Sequence, residues 1–430
     1  KLTDGQATLT TPSLDYNMTT NMGIYKEGGK VVNKKTVITS KEGEYYSDLK
    51  DVYFKKNVVV NDPAYKITTD SLMYNTTSQI ATFIAMTHIR DSSRRSIDTK
   101  EGYYNLRTGQ AEFGQRPFIN DDNKSTLLAD NVYLDDNIAR AEGNAIAVDS
   151  VRGTIIIANR IFQNRLNEAI LATQKPVMII KQGNDSIYVA ADTLFSAKLS
   201  DLFEAPVAQP ADSTVVNIIQ NEKDSVIAAE QNDAPETDSS VVAGNEITRK
   251  PNTPTIVKKD ARAISQDTIK AKSTSDSTDR YFEAFQNMRI YSDSLQTVSE
   301  SMFYSFTDST FRLYKDPVVW GKESQIAGDT ILLHTKNKQP HWMEAFNNGF
   351  MVNYVATEAY NQIKSTRIDA YFVDGGLDSV RAKGSAECIY FLQDDDSAFT
   401  GINQSTCDII DSYFENKQLH KVAFRNNVEG

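Results

Sequence analysis

An acidic residue, a small polar residue and then alternating apolar and aromatic residues recur along this chain, and the recurrence constrains its fold more than any other feature. The phrase reads Asp70-Ser71-Leu72-Met73-Tyr74, then Asp130-Asn131-Val132-Tyr133-Leu134, Asp192-Thr193-Leu194-Phe195 and Asp329-Thr330-Ile331-Leu332-Leu333. A looser copy stands at Ile368-Asp369-Ala370-Tyr371-Phe372. A short unit cannot bury its apolar face alone, whereas stacked copies bury it between neighbours. Such an array suits carrying or bridging better than holding one reaction centre.

The local pattern within the repeats has period two. Val52 to Val60 is β-branched and aromatic and ends at Asn61-Asp62-Pro63; Tyr65 to Thr69 and Leu72 to Tyr74 follow, then the polar turn Asn75 to Ser78, then a long apolar-rich strand from Ile80 to Ile89. These are strand and turn signals. Ile161 to Ala172 fits a helical face about as well as two strands, and its neighbours favour strands. Ala345-Phe346-Asn347-Asn348-Gly349 and Val422 to Asn427 share one shape, a short apolar strand that reaches an Asn-rich or Gly-containing corner. The expectation is an all-β, solenoid-like fold in which two sheets face each other.

Between Phe203 and Tyr281 there is no aromatic residue, and five of the eleven prolines fall there. A stretch so poor in apolar area cannot offset the entropy of ordering it. The expected organisation is therefore repeats over 1–200, a flexible low-complexity insertion over 201–280, and repeats over 281–430 that could be truncated at the C-terminal end.

Stacked alternating strands at about 4.8 Å per rung turn each apolar face into a ribbon. About 30 strands folded as two sheets give about 15 rungs and about 70 Å of length. Val52, Phe54, Val58, Val60, Ile67, Leu72, Phe83 and Ile89 are the inward candidates for a lining. Each taken singly reads as ordinary core; only the summed ribbon suggests a binding surface. Phe83-Ile84 and Tyr371-Phe372-Val373, apolar on consecutive positions, must occupy both faces or lie near a corner.

Acidic residues outnumber basic ones by 57 to 46, a net charge of -11, and no basic stripe with interleaved aromatics is present. That argues against a nucleic-acid partner, which demands concentrated Lys and Arg. No apolar run reaches the roughly 18–20 residues needed to cross a bilayer as a helix, so the expected association with membranes is peripheral. Cys388 and Cys407 pair as one disulfide in an oxidising compartment or remain two buried thiols.

The catalytic ledger is thin. His88, His334, His341 and His420 make no metal-site spacing, and His88, in a strand beside Ile89, reads as structural. There is no Gly-Lys-Ser/Thr loop and no Gly-x-Ser-x-Gly elbow. Asp70, Asp130, Asp192 and Asp329 recur once per phrase where a turn meets a strand, and read as side-chain caps on local backbone N–H groups rather than as paired catalytic carboxylates. No catalytic residue, metal or cofactor is expected.

Several phrases carry a specific resemblance: Tyr45-Tyr46 followed by Val52 to Val60, Thr69-Asp70-Ser71-Leu72-Met73-Tyr74-Asn75, Ala81-Thr82-Phe83 with Thr87-His88-Ile89, and the later parallels Ala129-Asp130, Ala191 to Phe195, Gly328 to Ile331 and Asn361 to Lys364. Together they resemble the OstA-like (LptA-like) family of periplasmic lipopolysaccharide-transport proteins, especially its long Bacteroidota-type members. The resemblance covers about 1–200 and 281–430. It implies an antiparallel β-jellyroll, described as a taco-like pair of sheets, whose apolar groove shields the acyl chains of lipopolysaccharide or its lipid A portion. It also implies head-to-tail contacts with jellyroll domains of inner-membrane and outer-membrane transport components, and a periplasmic location. The long polar insertion and the large size depart from the family pattern. Two other readings compete: a structural or protein-docking β-solenoid with a closed core and no lipid, and a polysaccharide-acting solenoid enzyme, which the evenly spaced aspartates disfavour.

Overall fold

The computed structural model describes residues 1–202 and 279–430, apart from 4, 6, 123, 183–184, 294, 322, 338, 395–397 and 416–417. Most of the expected insertion over 201–280 therefore lies outside the described residues. All the described residues belong to one compact unit.

Alternating, β-branched sequence produces strands, and the described residues form 34 of them in one hydrogen-bonded network. The pairing resolves into two antiparallel ladders. One contains Gly29–Asn33, Thr36–Ser40, Thr87–Asp91, Arg95–Thr99 and Val318–Trp320; the other contains Met22–Tyr25, Glu42–Tyr46, Ile80–Phe83, Glu101–Asn105 and Ala111–Gly114. Long strands serve both. Asp51–Asn61 pairs through 51–55 with Glu42–Tyr46 of the second sheet and through 59–61 with Thr36–Ser40 of the first. Tyr65–Asn75, Ile138–Asp149, Thr154–Asn164, Tyr281–Tyr291 and Gln339–Ala356 divide in the same way.

The sheets meet at a corner that each long strand turns through. In alternate long strands two successive left-handed residues make the turn: Lys56 and Asn57, Gly143 and Asn144, Gln286 and Asn287, Asn347 and Asn348, Gly384 and Ser385. They oppose a single residue on the neighbouring strand, so every such corner is a β-bulge, with shifts between Lys55 and Val58, Glu142 and Ala145, Phe285 and Met288, and Phe346 and Gly349. Asn and Gly suit these positions because positive φ is costly for most side chains.

The ladder runs on across the insertion. Tyr188, Val189 and Ala190 pair with Tyr291, Ile290 and Arg289, and 193–197 pair with 281–285. The ambiguous stretch from Ile161 to Ala172 is strand, turn and strand: Thr154–Asn164 ends there and Ile170–Thr173 begins.

The inner faces pack into one apolar core, with Phe54, Val60, Ile67, Leu72, Phe113, Leu313 and Ile410 fully buried. Near the N-terminal end Tyr25 lies across the interior, its hydroxyl 2.6 Å from Ser40 Oγ, and burial pushes that phenol up to about 12. Gly29 and Gly43 leave room for the ring, since a Cβ on either would stand 2.4 Å from it.

On the outer face of the second sheet, Glu344, Asp369 and Asp411 form a buried carboxylate row. Arg367 bonds both Glu344 and Asp369, Lys383 Nζ stands 2.7 Å from Asp369, and Asp411 receives Arg381 at 2.5 Å and Arg425 at 2.8 Å. The Arg381 hydrogen bond, followed by that of Arg425, holds the Asp411 carboxyl below its ordinary range. Its contribution to stability is therefore complete above the unfolded carboxylate value of about 3.9 and is lost as pH falls through the lower folded value.

Two outcomes are expected from this architecture. Asn348→Val should be less stable than Asn348→Gly by about 1–2 kcal/mol in urea unfolding, because only the former strains the left-handed corner. Asp411→Asn should lower stability at neutral pH and flatten the acid limb of the stability profile below about pH 4, followed by denaturant midpoints across pH.

Candidate functional site

The eight inward candidates all lie on the inner faces. Val52, Phe54, Val58, Val60, Ile67, Leu72, Phe83 and Ile89 are each 3% exposed or less. The sheets are closed over them. Asn33 of the first sheet donates to the Tyr74 hydroxyl at 3.2 Å and the Thr76 carbonyl at 2.9 Å in the second, and the Tyr65 and Tyr104 rings meet 5.4 Å apart. A void of about 20 Å³ between Leu9, Val31, Tyr45 and Val52 has room for about one water. Further along, the Tyr390 hydroxyl stands 2.8 Å from Ser412 Oγ across the interior, beside a void of about 10 Å³. A charge at Phe54 or Phe83 would be buried without a partner and would unfold the surrounding rungs. Aspartate substitutions there therefore test folding, not ligand capture.

On the side away from the corner the sheets part between Val319 and Phe414. A cleft of about 520 Å³ runs between Val319 and Ile326 of the first sheet and Met343, Phe372, Leu377 and Phe414 of the second. Val319, Ile326 and Met343 are buried, and the other three are half-buried. The hairpin of Ala359–Val373 and Gly376–Gln393 forms one wall, joined by Asp374 and Gly375, both with positive φ, as a two-residue turn of this kind requires. Val319 and Ile326 are held by the turn in which Gly321 N donates to the Ser324 carbonyl at 2.8 Å. Chemically, the cleft offers apolar walls, and its lining also includes Ser324 and the exposed carboxylates of Glu323, Asp374 and Asp378. The Tyr371-Phe372-Val373 run signalled this place: Tyr371 and Val373 are exposed while Phe372 faces the cleft. The opposing sheet was not legible from that run.

The recurring aspartates stand at the corner. Asp130 accepts from Asn144 Nδ2 at 2.8 Å, Asp192 from Asn287 Nδ2 at 2.8 Å, and Asp329 from Asn348 Nδ2 at 3.0 Å; Asp70 is exposed at the equivalent corner. Asp408, which the phrase did not pick out, accepts from Asn427 Nδ2 at 3.0 Å. These contacts cross between strands, and each ties an aspartate to a left-handed asparagine. The carboxylates sit one per corner and do not converge.

Cys388 and Cys407 are free buried thiols on adjacent strands, opposite Ser405 and Ala386 respectively. The Cys407 thiol donates to the Ile409 carbonyl at 3.1 Å, and burial pushes the Cys388 thiol up to about 11. No group of three metal-ligating side chains occurs among the described residues. His88 pairs with Asp98 at 2.6 Å on the exposed surface, and His334 stacks on Trp342 at 4.2 Å between Thr310 and Glu344. Among the described residues no helix is long and apolar enough to cross a membrane.

Two facing antiparallel sheets joined along a corner, with an apolar interior between them, define a β-jellyroll protein. Residues 1–70 match the family model described as OstA-like protein, and over that stretch the chain is similar to that family. No curated protein matches the chain. The matched residues include the first complete corner, Lys56 and Asn57 against Asp70, and the same bulge recurs beyond residue 70. Alkylation of the folded protein with iodoacetamide at pH 8 should be slow at both cysteines and fast in urea, because the thiolate is the reactive form and burial suppresses it. Peptide mass mapping reads the result.

Proposed function

We propose that this chain is an envelope lipid-handling jellyroll of the lipopolysaccharide-transport kind. It shields acyl chains between its sheets, leaves the sugars in water, and passes the lipid toward the outer membrane through head-to-tail contacts with jellyroll domains of inner-membrane and outer-membrane components in the periplasm. The observation that carries this reading is the apolar-walled cleft of about 520 Å³ that opens between the two inner faces. The OstA-like match over residues 1–70 supports it, since that family is associated with lipopolysaccharide transport.

The energetics suit the task. Burying about ten methylenes contributes about 8 kcal/mol before the cost of ordering the chain, without specific polar contacts. The volume lies within the range of small-ligand pockets. The closed rungs around Phe54 and Ile67 would receive a chain only by parting the sheets, so the cleft is where capture begins. No nucleotide-hydrolysing motif is present in the sequence, so the partners supply the drive. The second reading, a structural or docking solenoid without lipid, is favoured by the tight packing of the N-terminal rungs, where the void is only about 20 Å³.

A photo-crosslinking side chain at Val373, which is 59% exposed on the cleft rim, should capture lipopolysaccharide, whereas the same group at Met73 on the outer face of the second sheet should not. Mass analysis of the adduct decides. No adduct at Val373, or equal adducts at both positions, would favour the closed solenoid.

A further inference from the structure

The outer face of the first sheet changes character along the ladder. Lys66, His88, Arg90 and Asp98 make its N-terminal stretch polar, and Lys364 and Glu387 make its C-terminal stretch polar again. Between them, over the eleven strands from that of Phe118 to that of Phe350, two neighbouring rows of outward side chains are mostly apolar. One row carries Val148, Ile155, Ile179, Tyr188 and Tyr291 in register, and the row beside it carries Ile157, Val177 and Val318. Their strand neighbours Met178 and Ile290 belong to the core, so period two sends these side chains outward. Ile157 is 38% exposed and Tyr291 52%. Among the described residues of both rows Arg289 is the one charged side chain, and Trp320 closes its indole N–H on Gln325 at 2.8 Å. The corner residues Asp192 and Asn287 border the strip on one long side, and Lys181 and Ser186 on the other. The outward face of an antiparallel sheet is ordinarily polar, and an apolar strip with a polar rim marks an interaction surface.

We infer that a second copy of this chain covers the strip, the first sheets of the two copies packing face to face. Steps of about 4.8 Å between strands and two rows about 7 Å apart give about 650 Å² on each copy, so about 1,300 Å² in all, within the size range of a stable interface. Successive strands rotate by about 20–25°, so a bilayer plane would touch only a few strands of the strip. An identical strip carries the same twist and packs along its length about 10 Å away. A charged partner would find no counter-charge but Arg289, whose stem can lie on the strip while its guanidinium stays in water beside the corner. Apolar burial drives the contact, and the net charge of -11 on each copy opposes it. Salt therefore tightens the dimer. The arrangement leaves the cleft and the outer face of the second sheet uncovered, and it does not rest on the lipid reading.

The test is sedimentation velocity of the full chain from about 1 to about 100 µM, at about 20 and about 150 mM salt. A dimer is expected, and it should be tighter at the higher salt. The double variant Ile157→Lys, Tyr291→Lys changes two exposed side chains and should weaken the dimer at least about 10-fold. Lys66→Ala, in the same row but outside the strip, should leave it within about 2-fold. In the otherwise unaltered chain, a photo-crosslinking side chain at Tyr291 should join two copies and one at Lys66 should not, a readout that does not depend on how the lysine variant folds. A chain that stays monomeric to about 100 µM, a dimer that loosens as salt rises or survives in the double variant, or a Tyr291 cross-link confined to one chain would overturn the inference. Capture of neutral phosphatidylcholine vesicles by a monomeric chain would overturn it in favour of a bilayer.

Discussion

The rest of the structure depends on how the chain turns its corner. A strand alternates with period two, so a slip of one residue would send every apolar side chain of the next segment to the outside. Two left-handed residues prevent the slip: Phe54 and Val58, or Ala284 and Met288, stand four positions apart with both members buried. The neighbouring strand turns with one residue fewer, as between Ser299 and Met302, and the bulge absorbs the difference. A fully buried Phe or Leu stabilises by about 1.5–3 kcal/mol, and that contribution reaches the core only if the phase survives the corner. The asparagine-to-aspartate bonds at Asn144, Asn287 and Asn348 fasten the bulge to the adjoining strand.

With the phase secured, the distance between the sheets becomes the functional variable. Where polar groups span the opening, as at Asn33 with Tyr74 and Thr76, the inner faces touch and nothing larger than water fits. Where the Asp374-Gly375 hairpin and the Gly321 turn flank the opening, the faces stand apart and apolar walls are accessible. One architecture thus contains closed rungs that give stability and an open stretch that can receive a chain. The carboxylate row of Glu344, Asp369 and Asp411 braces the second sheet on its outer side beside that open stretch.

Much of the fold was legible in the sequence because its causes are local. Alternation around Val52 to Val60 gives strands, and the Asn-rich corner at Asn347-Asn348 is written in residues that tolerate positive φ. The Asp phrase was legible as a repeat, but the partner of each Asp was not: Asn287 lies 95 residues from Asp192 and meets it only after the ladder forms. Alternation likewise assigns Phe54 and Ile67 to a face without saying how closely the opposite face approaches. The cleft between Val319 and Phe372 depends on that approach, and on turns from two separate hairpins, so period two carried no sign of it. At Ile161 to Ala172 the turn over Arg165 to Ala169 interrupts the alternation and gives it a helical look.

Native mass spectrometry of the full chain, taken gently from its own envelope and followed by lipid analysis of the bound mass, tests the central claim most directly. The account predicts an acyl-bearing envelope lipid held by the chain and displaced by an excess of a dodecyl amphiphile. A chain that is lipid-free from the envelope, and stays so after incubation with lipopolysaccharide, would contradict it.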